Sequence, residues 1–394
     1  MRFEFSTAGR ILFGQGTVSE IAPAAASFGK RCLVITGRDP DRAGFLFEQL
    51  RSHGVIAVSW QVPGEPDTDL ILEGTAIARK EQCGLVIGFG GGSVMDSGKA
   101  VAALLNNPGD LFDYLEVIGR GKGISSPPVP YITVPTTAGT GTEVTKNAVI
   151  ISKRHGVKVS MRSPLMLPRL VVVDPELTYS LPSSITASTG LDAFTQLLES
   201  FVTRGANPLT DGICREGLIR AARSLRKAYR DGGDARAREG MALASLFSGL
   251  TLANAGLGVV HGFAAAIGGE FPAPHGMICA CLLPFAVEMN VRALQDREPD
   301  SPALARYGEL ARLMTGNPSA GPRDAVTWIQ GLSADLDVPG LGEMGITGRD
   351  FSGIVSKAMR ASSMKGNPIS LTEKELTGIL EKAYGRQLHG DRSV

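Results

Sequence analysis

The sequence predicts an α/β half built on a mostly parallel sheet, followed by an all-helical half. Three observations carry this reading. Up to Asp174-Pro175, short apolar runs alternate with amphipathic stretches. Beyond that point strand signals almost vanish and long amphipathic stretches take over. Between two elements of the first half stands a glycine cluster, Gly90-Gly91-Gly92, directly after an apolar run.

Taken in order, residues 31–37 (RCLVITG) form a short apolar run ending in Gly, the pattern of a strand buried on both faces. A helix follows from about residue 41 to 53, then a strand at 56–62 (IAVSWQV). Residues 67–82 have helical periodicity, with Leu70, Ile71, Ile77 and Ala78 on one face. Residues 84–88 (GLVIG) make the next strand and run into the glycine cluster. Further strands are expected at 131–135, 147–152, 157–161 and 170–174. Such alternation with short turns implies helices on both faces of the sheet, a Rossmann-like arrangement. The second half should hold helices at 188–202, 209–230, 235–255, 275–292, 302–314, 323–336 and 371–384, with a break at 254–258 (NAGLG). The boundary is placed near Leu181-Pro182, giving domains 1–181 and 182–394.

Composition narrows the function. The chain has 394 residues, 43% of them hydrophobic, enough for two buried cores. Lys and Arg number 40 against 39 Asp and Glu, a net charge of +1. No basic domain or stripe marks a nucleic-acid partner. No run approaches the roughly 18–20 apolar residues of a membrane span, and the N-terminus lacks a signal-peptide core. The five cysteines, Cys32, Cys83, Cys214, Cys279 and Cys281, show no framework spacing. They read as reduced thiols in a cytoplasmic protein. Cys279 and Cys281 read as small packing residues on a helix rather than as metal ligands.

The glycine cluster and Ser93 lie between a strand and a helix expected at 94–105. Glycines let a backbone approach a pyrophosphate, Ser93 can cap the helix, and free N–H groups of the first turn face the anion. The motif is not GxGxxG, so the ordinary dinucleotide fingerprint is absent. A second polar loop, TTAGTGTE (136–143), follows the strand at 131–135. Two such loops at strand ends suggest one dinucleotide site.

Of the five histidines, His53, His155 and His389 sit in polar segments and read as solvated. His261 and His275 lie in the most apolar stretch of the chain, each followed by Gly. Asp192 and Gln196 share a helix face at i, i+4. An Asp in so apolar a helix is costly unless paired, capping or metal-bound. A first-turn position near the helix start is the competing explanation.

Together these motifs resemble the iron-containing (group III) alcohol dehydrogenases, relatives of glycerol dehydrogenases and dehydroquinate synthases. The resemblance rests on GFGGGSVMDSGKA (88–100), PTTAGTGTEVTKNAVI (135–150), LPRLVVVDPELT (167–178), GLDAFTQLLESFV (190–202) and NAGLGVVHGFAAAIGGEFPAPHG (254–276). It implies a dehydroquinate synthase-like fold and a metal-dependent, NAD(P)-linked alcohol dehydrogenase or aldehyde reductase. By position it implies dinucleotide contacts at Gly91, Gly92, Ser93 and Asp96, a cleft lined by Thr136, Thr137 and Thr145, and Lys158 nearby. It implies a divalent cation, Fe(II) or Zn(II), held by Asp192, Gln196, His261 and His275. Asp192, His261 and His275 are then the catalytic set.

The chain departs from the family's pattern twice. Gln196 stands where most members carry His, and Ala265 where members often carry a His suspected of relaying protons. At the position where NAD-preferring members often place an acid, this chain has Gly37 followed by Arg38-Asp39. An arginine there can clamp a 2′-phosphate, which tilts the choice of NAD or NADP toward NADP. Phe194, Phe263 and Phe271 are expected to line an apolar or mixed substrate pocket. Residues 1–5 (MRFEF) are expected to form an edge strand for a homodimer, as in relatives. The alternatives left open are a metal-free reductase like the maleylacetate reductases, a non-catalytic dinucleotide binder, and a lyase like dehydroquinate synthase.

Overall fold

The computed structural model describes residues 2–385. The chain divides between Ser180 and Leu181 into two compact units, and the residues through Phe5 group with the second. His389 lies outside the described residues.

The first unit is built on six strands: β1 (Ile11–Phe13), β2 (Arg31–Thr36), β3 (Ile56–Gln61), β4 (Leu85–Gly90), β5 (Tyr131–Pro135) and β8 (Leu170–Val173). Their order is β1-β8-β5-β4-β2-β3, and every neighbouring pair is parallel. The remaining strands, β6 (Asn147–Ser152) and β7 (Val157–Arg162), form a separate antiparallel hairpin. Helices α1 (Ile21–Phe28) and α2 (Gly44–Ser52) cover one face of the sheet with Cys32, Val34, Leu85 and Ile87. Helices α3 (Thr68–Lys80) and α4 (Gly92–Asn106) cover the other with Leu33, Ile35 and Val86. Apolar side chains on both faces explain why β2, β4 and β8 read as unbroken apolar runs. A short turn of helix, α5 (Leu111–Tyr114), completes the unit.

From β2 the chain moves outward to β3, then returns to β4 on the other side of β2. The strand order reverses there, which leaves a crevice outside the carboxyl ends of the strands. The turns after β2 and β4 flank that crevice.

Residues 2–9 carry no strand, and the first begins at Ile11. Its residues pair in register with Val171, Val172 and Val173, so β1 takes the edge beside β8.

The second unit is helical: α6 (Ser183–Val202), α7 (Pro208–Arg230), α8 (Ala235–Ala255), α9 (Val259–Ile267), α10 (His275–Arg297), α11 (Pro302–Thr315), α12 (Pro322–Asp335), α13 (Phe351–Ala358) and α14 (Glu373–Tyr384). The break at NAGLG is a bend of 97° between α8 and α9. Gly256 makes the turn possible, at a φ of +83° that a side chain would strain. Helix α6 starts at Ser183, five residues before the expected position, so Asp192 falls in its middle and the first-turn explanation for this acid fails. Helix α10 is long and apolar enough to cross a membrane, contrary to the expectation from sequence, but most of it is buried within the protein.

Tyr131 on β5 sets the spacing between sheet and α4. Its hydroxyl donates to the Met95 carbonyl at 3.0 Å. A Cβ added at Gly88 would lie 2.4 Å from that hydroxyl, and one at Gly98 only 2.3 Å. Both positions must therefore be glycine for the ring to fit. Gly98→Ala is expected to destabilise the protein by about 1–3 kcal/mol through overpacking. Urea unfolding should show a lower midpoint with an unchanged slope.

Candidate active site

In the first unit, β4 ends at Gly90 and α4 begins at Gly92, so Gly91 alone makes the turn. Gly91 occupies the cap position without a side-chain bond, and Ser93 lies inside the first turn. Ser93 therefore does not cap the helix: the turn is one residue too short. The N–H groups of that first turn remain for an anion. The Thr-rich loop closes over this turn. A Cβ at Gly91 would lie 3.4 Å from the Thr137 side chain, and one at Gly92 would lie 3.1 Å from that of Thr140. The Thr136 amide donates to the Gly90 carbonyl at 2.9 Å. Gly37 follows β2, with Val94 of α4 3.9 Å from where its Cβ would be. Lys158 lies on β7 and pairs with Glu65 at 2.6 Å.

Lys99, which the sequence reading passed over, ties this loop down. Its ammonium is fully buried and donates to the Thr142 carbonyl at 3.0 Å and to the hydroxyls of Thr142 and Thr145 at 2.8 Å. It also bonds the Asn147 carbonyl and pairs with Asp96 at 3.0 Å. Asp96 Oδ1 in turn accepts from the Thr142 hydroxyl at 2.7 Å, and Oδ2 from the Val149 amide at 3.1 Å. Both Asp96 oxygens are thus engaged in holding the loop. Desolvation pulls the Lys99 amine below its ordinary value, and Asp96 and Glu143 oppose that pull.

In the second unit, three helices bring four donors together. Asp192 comes from α6, His261 from α9, and His275 and Cys279 from α10. One ligand atom from each lies within 4.8 Å of all the others. Asp192 Oδ1 is 3.3 Å from His261 Nε2 and 3.7 Å from His275 Nε2. Cys279 Sγ is 3.8 Å from His261 Nε2 and 3.7 Å from His275 Nε2. Reading Cys279 as a packing residue is corrected by this contact, which arises because it follows His275 by one turn on the same face. Tetrahedral bonds of about 2.0–2.3 Å to one cation require donors roughly 3.3–3.7 Å apart. The four residues fit a divalent cation.

Glu199 is the other residue the sequence reading missed. It follows Asp192 by seven residues on α6 and is buried. Its carboxylate accepts from the Val260 amide at 2.7 Å and contacts His261 Nδ1 at 2.7 Å. A carboxylate on Nδ1 fixes the tautomer and leaves Nε2 facing the cluster. A Cβ on Gly258 would come within 2.9 Å of that carboxylate, so glycine is required at the start of α9.

Gln196 stands beside the cluster. Its Nε2 donates to Asp192 Oδ2 at 3.2 Å, and its Oε1 accepts from the Ser248 hydroxyl at 2.8 Å. Burial would raise the Asp192 carboxyl, but the bond from His261 and the charges of both histidines outweigh it and hold it low. Burial would likewise lower His261. Cys279, Asp192 and Glu199 override that and raise it well above the ordinary value. Phe194 and Phe263 are completely buried and so line no open pocket; Phe194 packs on Trp328 at 5.6 Å. Phe271 is half-buried, and Ala265 is exposed. His53 and His155 are exposed, as their polar surroundings suggest.

Glu199→Gln is expected to weaken binding of Zn(II) or Fe(II) by about 10–100-fold, the usual effect of losing a ligand's supporting carboxylate. Competition with a chromophoric chelator measures it. A second outcome concerns Glu143, which burial pushes up to about 7 from the usual 4.5 against the pull of Lys99. The folded state then holds a proton that the unfolded state releases, so stability falls as pH rises from 4.5 to about 7. Urea unfolding across that window should show a shallower fall for Glu143→Gln than for the wild type.

Comparison with known proteins agrees with this geometry. The family described as iron-containing alcohol dehydrogenase matches residues 8–175, and the C-terminal domain of the same family matches residues 186–384. The choline dehydrogenase of Bacillus subtilis (strain 168) is 31% identical over 387 residues, covering 97% of this chain and 94% of that protein. A 1,3-propanediol oxidoreductase structure superposes with a TM-score of 0.90 at 31% identity, covering 97% of this chain and 100% of that one. The sulfoacetaldehyde reductase of Bifidobacterium kashiwanohense, in complex with NAD+, gives a TM-score of 0.87 at 26% identity, covering 98% and 100%. With both halves matched and near-complete coverage, the chain belongs to the iron-containing alcohol dehydrogenase family, oxidoreductases that act on CH–OH groups.

Proposed function

We propose that this protein catalyses reversible hydride transfer between the C4 of a nicotinamide dinucleotide and a small alcohol or aldehyde, with one divalent cation, Fe(II) or Zn(II). The observation that carries the reading is the meeting of Asp192, His261, His275 and Cys279 from three helices within 4.8 Å. A cation held there supplies Lewis acidity toward a carbonyl or carbinol oxygen.

The chain's own residues do the rest. The first turn of α4 offers N–H groups and the positive end of a helix dipole to the pyrophosphate. Lys99 and Asp96 hold the Thr136–Thr145 loop over that turn, so the binding surface is formed in advance. Glu199 keeps His261 Nε2 directed at the cluster. Exposed Arg38, next to Gly37 at the end of β2, suits a 2′-phosphate and favours NADP over NAD. The NAD+ bound by the sulfoacetaldehyde reductase supports a dinucleotide of this class. With Ala265 in place of a histidine, a proton from the carbinol would pass to water, to a cofactor ribose hydroxyl or to another side chain.

Asp192→Ala and His261→Ala are expected to cut kcat by roughly a thousandfold or more, the scale of a lost Lewis acid worth several kcal/mol. Their dinucleotide Kd should stay near the wild-type value, because the pyrophosphate site lies in the other unit. Steady-state kinetics over an alcohol and aldehyde panel, with fluorescence titration of NADPH and NADH, checks both. Turnover unaffected in the folded variants would refute the proposal.

A further inference from the structure

An ionised carboxylate only accepts hydrogen bonds, so the Gln196 group facing Asp192 Oδ2 at 3.2 Å must be the NH2. Its carbonyl oxygen is thereby turned to the Ser248 hydroxyl, 2.8 Å away. An amide nitrogen offers no lone pair to a cation. Turning the amide over would set its oxygen against the carboxylate oxygen and lose the bond to Asp192, leaving only a contact with the Ser248 hydroxyl. Gln196 is thus placed as a donor to Asp192, and three donors remain for the cation from the four positions that the family resemblance implies.

The fourth donor is on α10. Cys279 Sγ is fully buried and close to both imidazole Nε2 atoms, at 3.8 and 3.7 Å. These separations are those of adjacent corners of a tetrahedron about one cation, given a metal–sulfur bond of about 2.3 Å. We propose that Cys279, as the thiolate, supplies the fourth donor to the divalent cation, and that Gln196 is a positioning residue that orients Asp192. The inference rests on the metal-dependent reading of the site. On coordination the S–H proton is released to solvent, and the thiolate and the Asp192 carboxylate together balance the two positive charges. A thiolate also shifts the donor set toward zinc and iron(II) and away from magnesium and calcium.

The test is the absorption spectrum of the full-length protein loaded with cobalt(II) alone. Wild type is expected to show visible d–d bands and an intense near-ultraviolet thiolate-to-cobalt charge-transfer band. Cys279→Ala should lose the charge-transfer band and keep d–d bands from the remaining three donors. Gln196→Leu should keep the charge-transfer band. Visible cobalt bands without charge transfer in the wild type would overturn the assignment and leave the metal-dependent reading intact. A spectrum that loses charge transfer in Gln196→Leu and keeps it in Cys279→Ala would do the same. No uptake of cobalt by the wild type would overturn both.

Discussion

The second unit is organised around one buried charge. Asp192 lies mid-helix in α6, flanked by Leu191 and Ala193 and almost wholly hidden from solvent. A lone carboxylate in such a place would be protonated or would unfold its surroundings. Here every group that meets it answers the charge. His261 and His275 approach Oδ1, and the Gln196 amide donates to Oδ2. Glu199 then fixes His261 from its far side. The consequences reach into the backbone. Glu199 also bonds the first amides of α9, so the 97° bend after α8 delivers His261 in one orientation. Breaking one member of such a network strands a charge, and the loss exceeds that of any single bond.

The first unit uses the mirror image of this device. There a buried cation, Lys99, gathers the carbonyl oxygens of Thr142 and Asn147 and the hydroxyls of Thr142 and Thr145, with Asp96 as counter-charge. Its helix, α4, also presents the free first-turn amides. The loop is therefore fastened to the same element whose first-turn amides are proposed to meet the pyrophosphate, so it is ordered before any ligand arrives. Preorganisation of this kind lowers the entropic cost of association.

These two networks also explain what could be seen in the sequence. Asp192, His261 and His275 stood out because polar types are rare in apolar runs, and the parallel sheet because its strands are continuous apolar runs. Cys279 did not stand out, since a buried cysteine in ICACLL is compatible with packing. Its role depends on which helix face meets α6, a tertiary fact. Glu199 and Lys99 were hidden for the opposite reason. Charged residues in LLESF and DSGKA resemble solvated positions, and only the fold shows that they are inside. Helix α13 was missed because it is short, and α9 was implied only by the break before it because it is short and has no polar stripe to give it a period.

Gln196, which departs from the family's pattern, and Cys279 make physical sense at the cluster as a pair. A histidine at 196 beside Cys279 would crowd five donors around one cation. A glutamine at 196 without a ligand at 279 would leave three. In this chain the glutamine finds a donor in Ser248 and an acceptor in Asp192, so neither end of its amide is left unsatisfied. The cysteine meanwhile reaches the two imidazoles. The bonds that Asp192, Gln196 and Glu199 make in this buried network are those the proposed site with Cys279 as fourth ligand calls for.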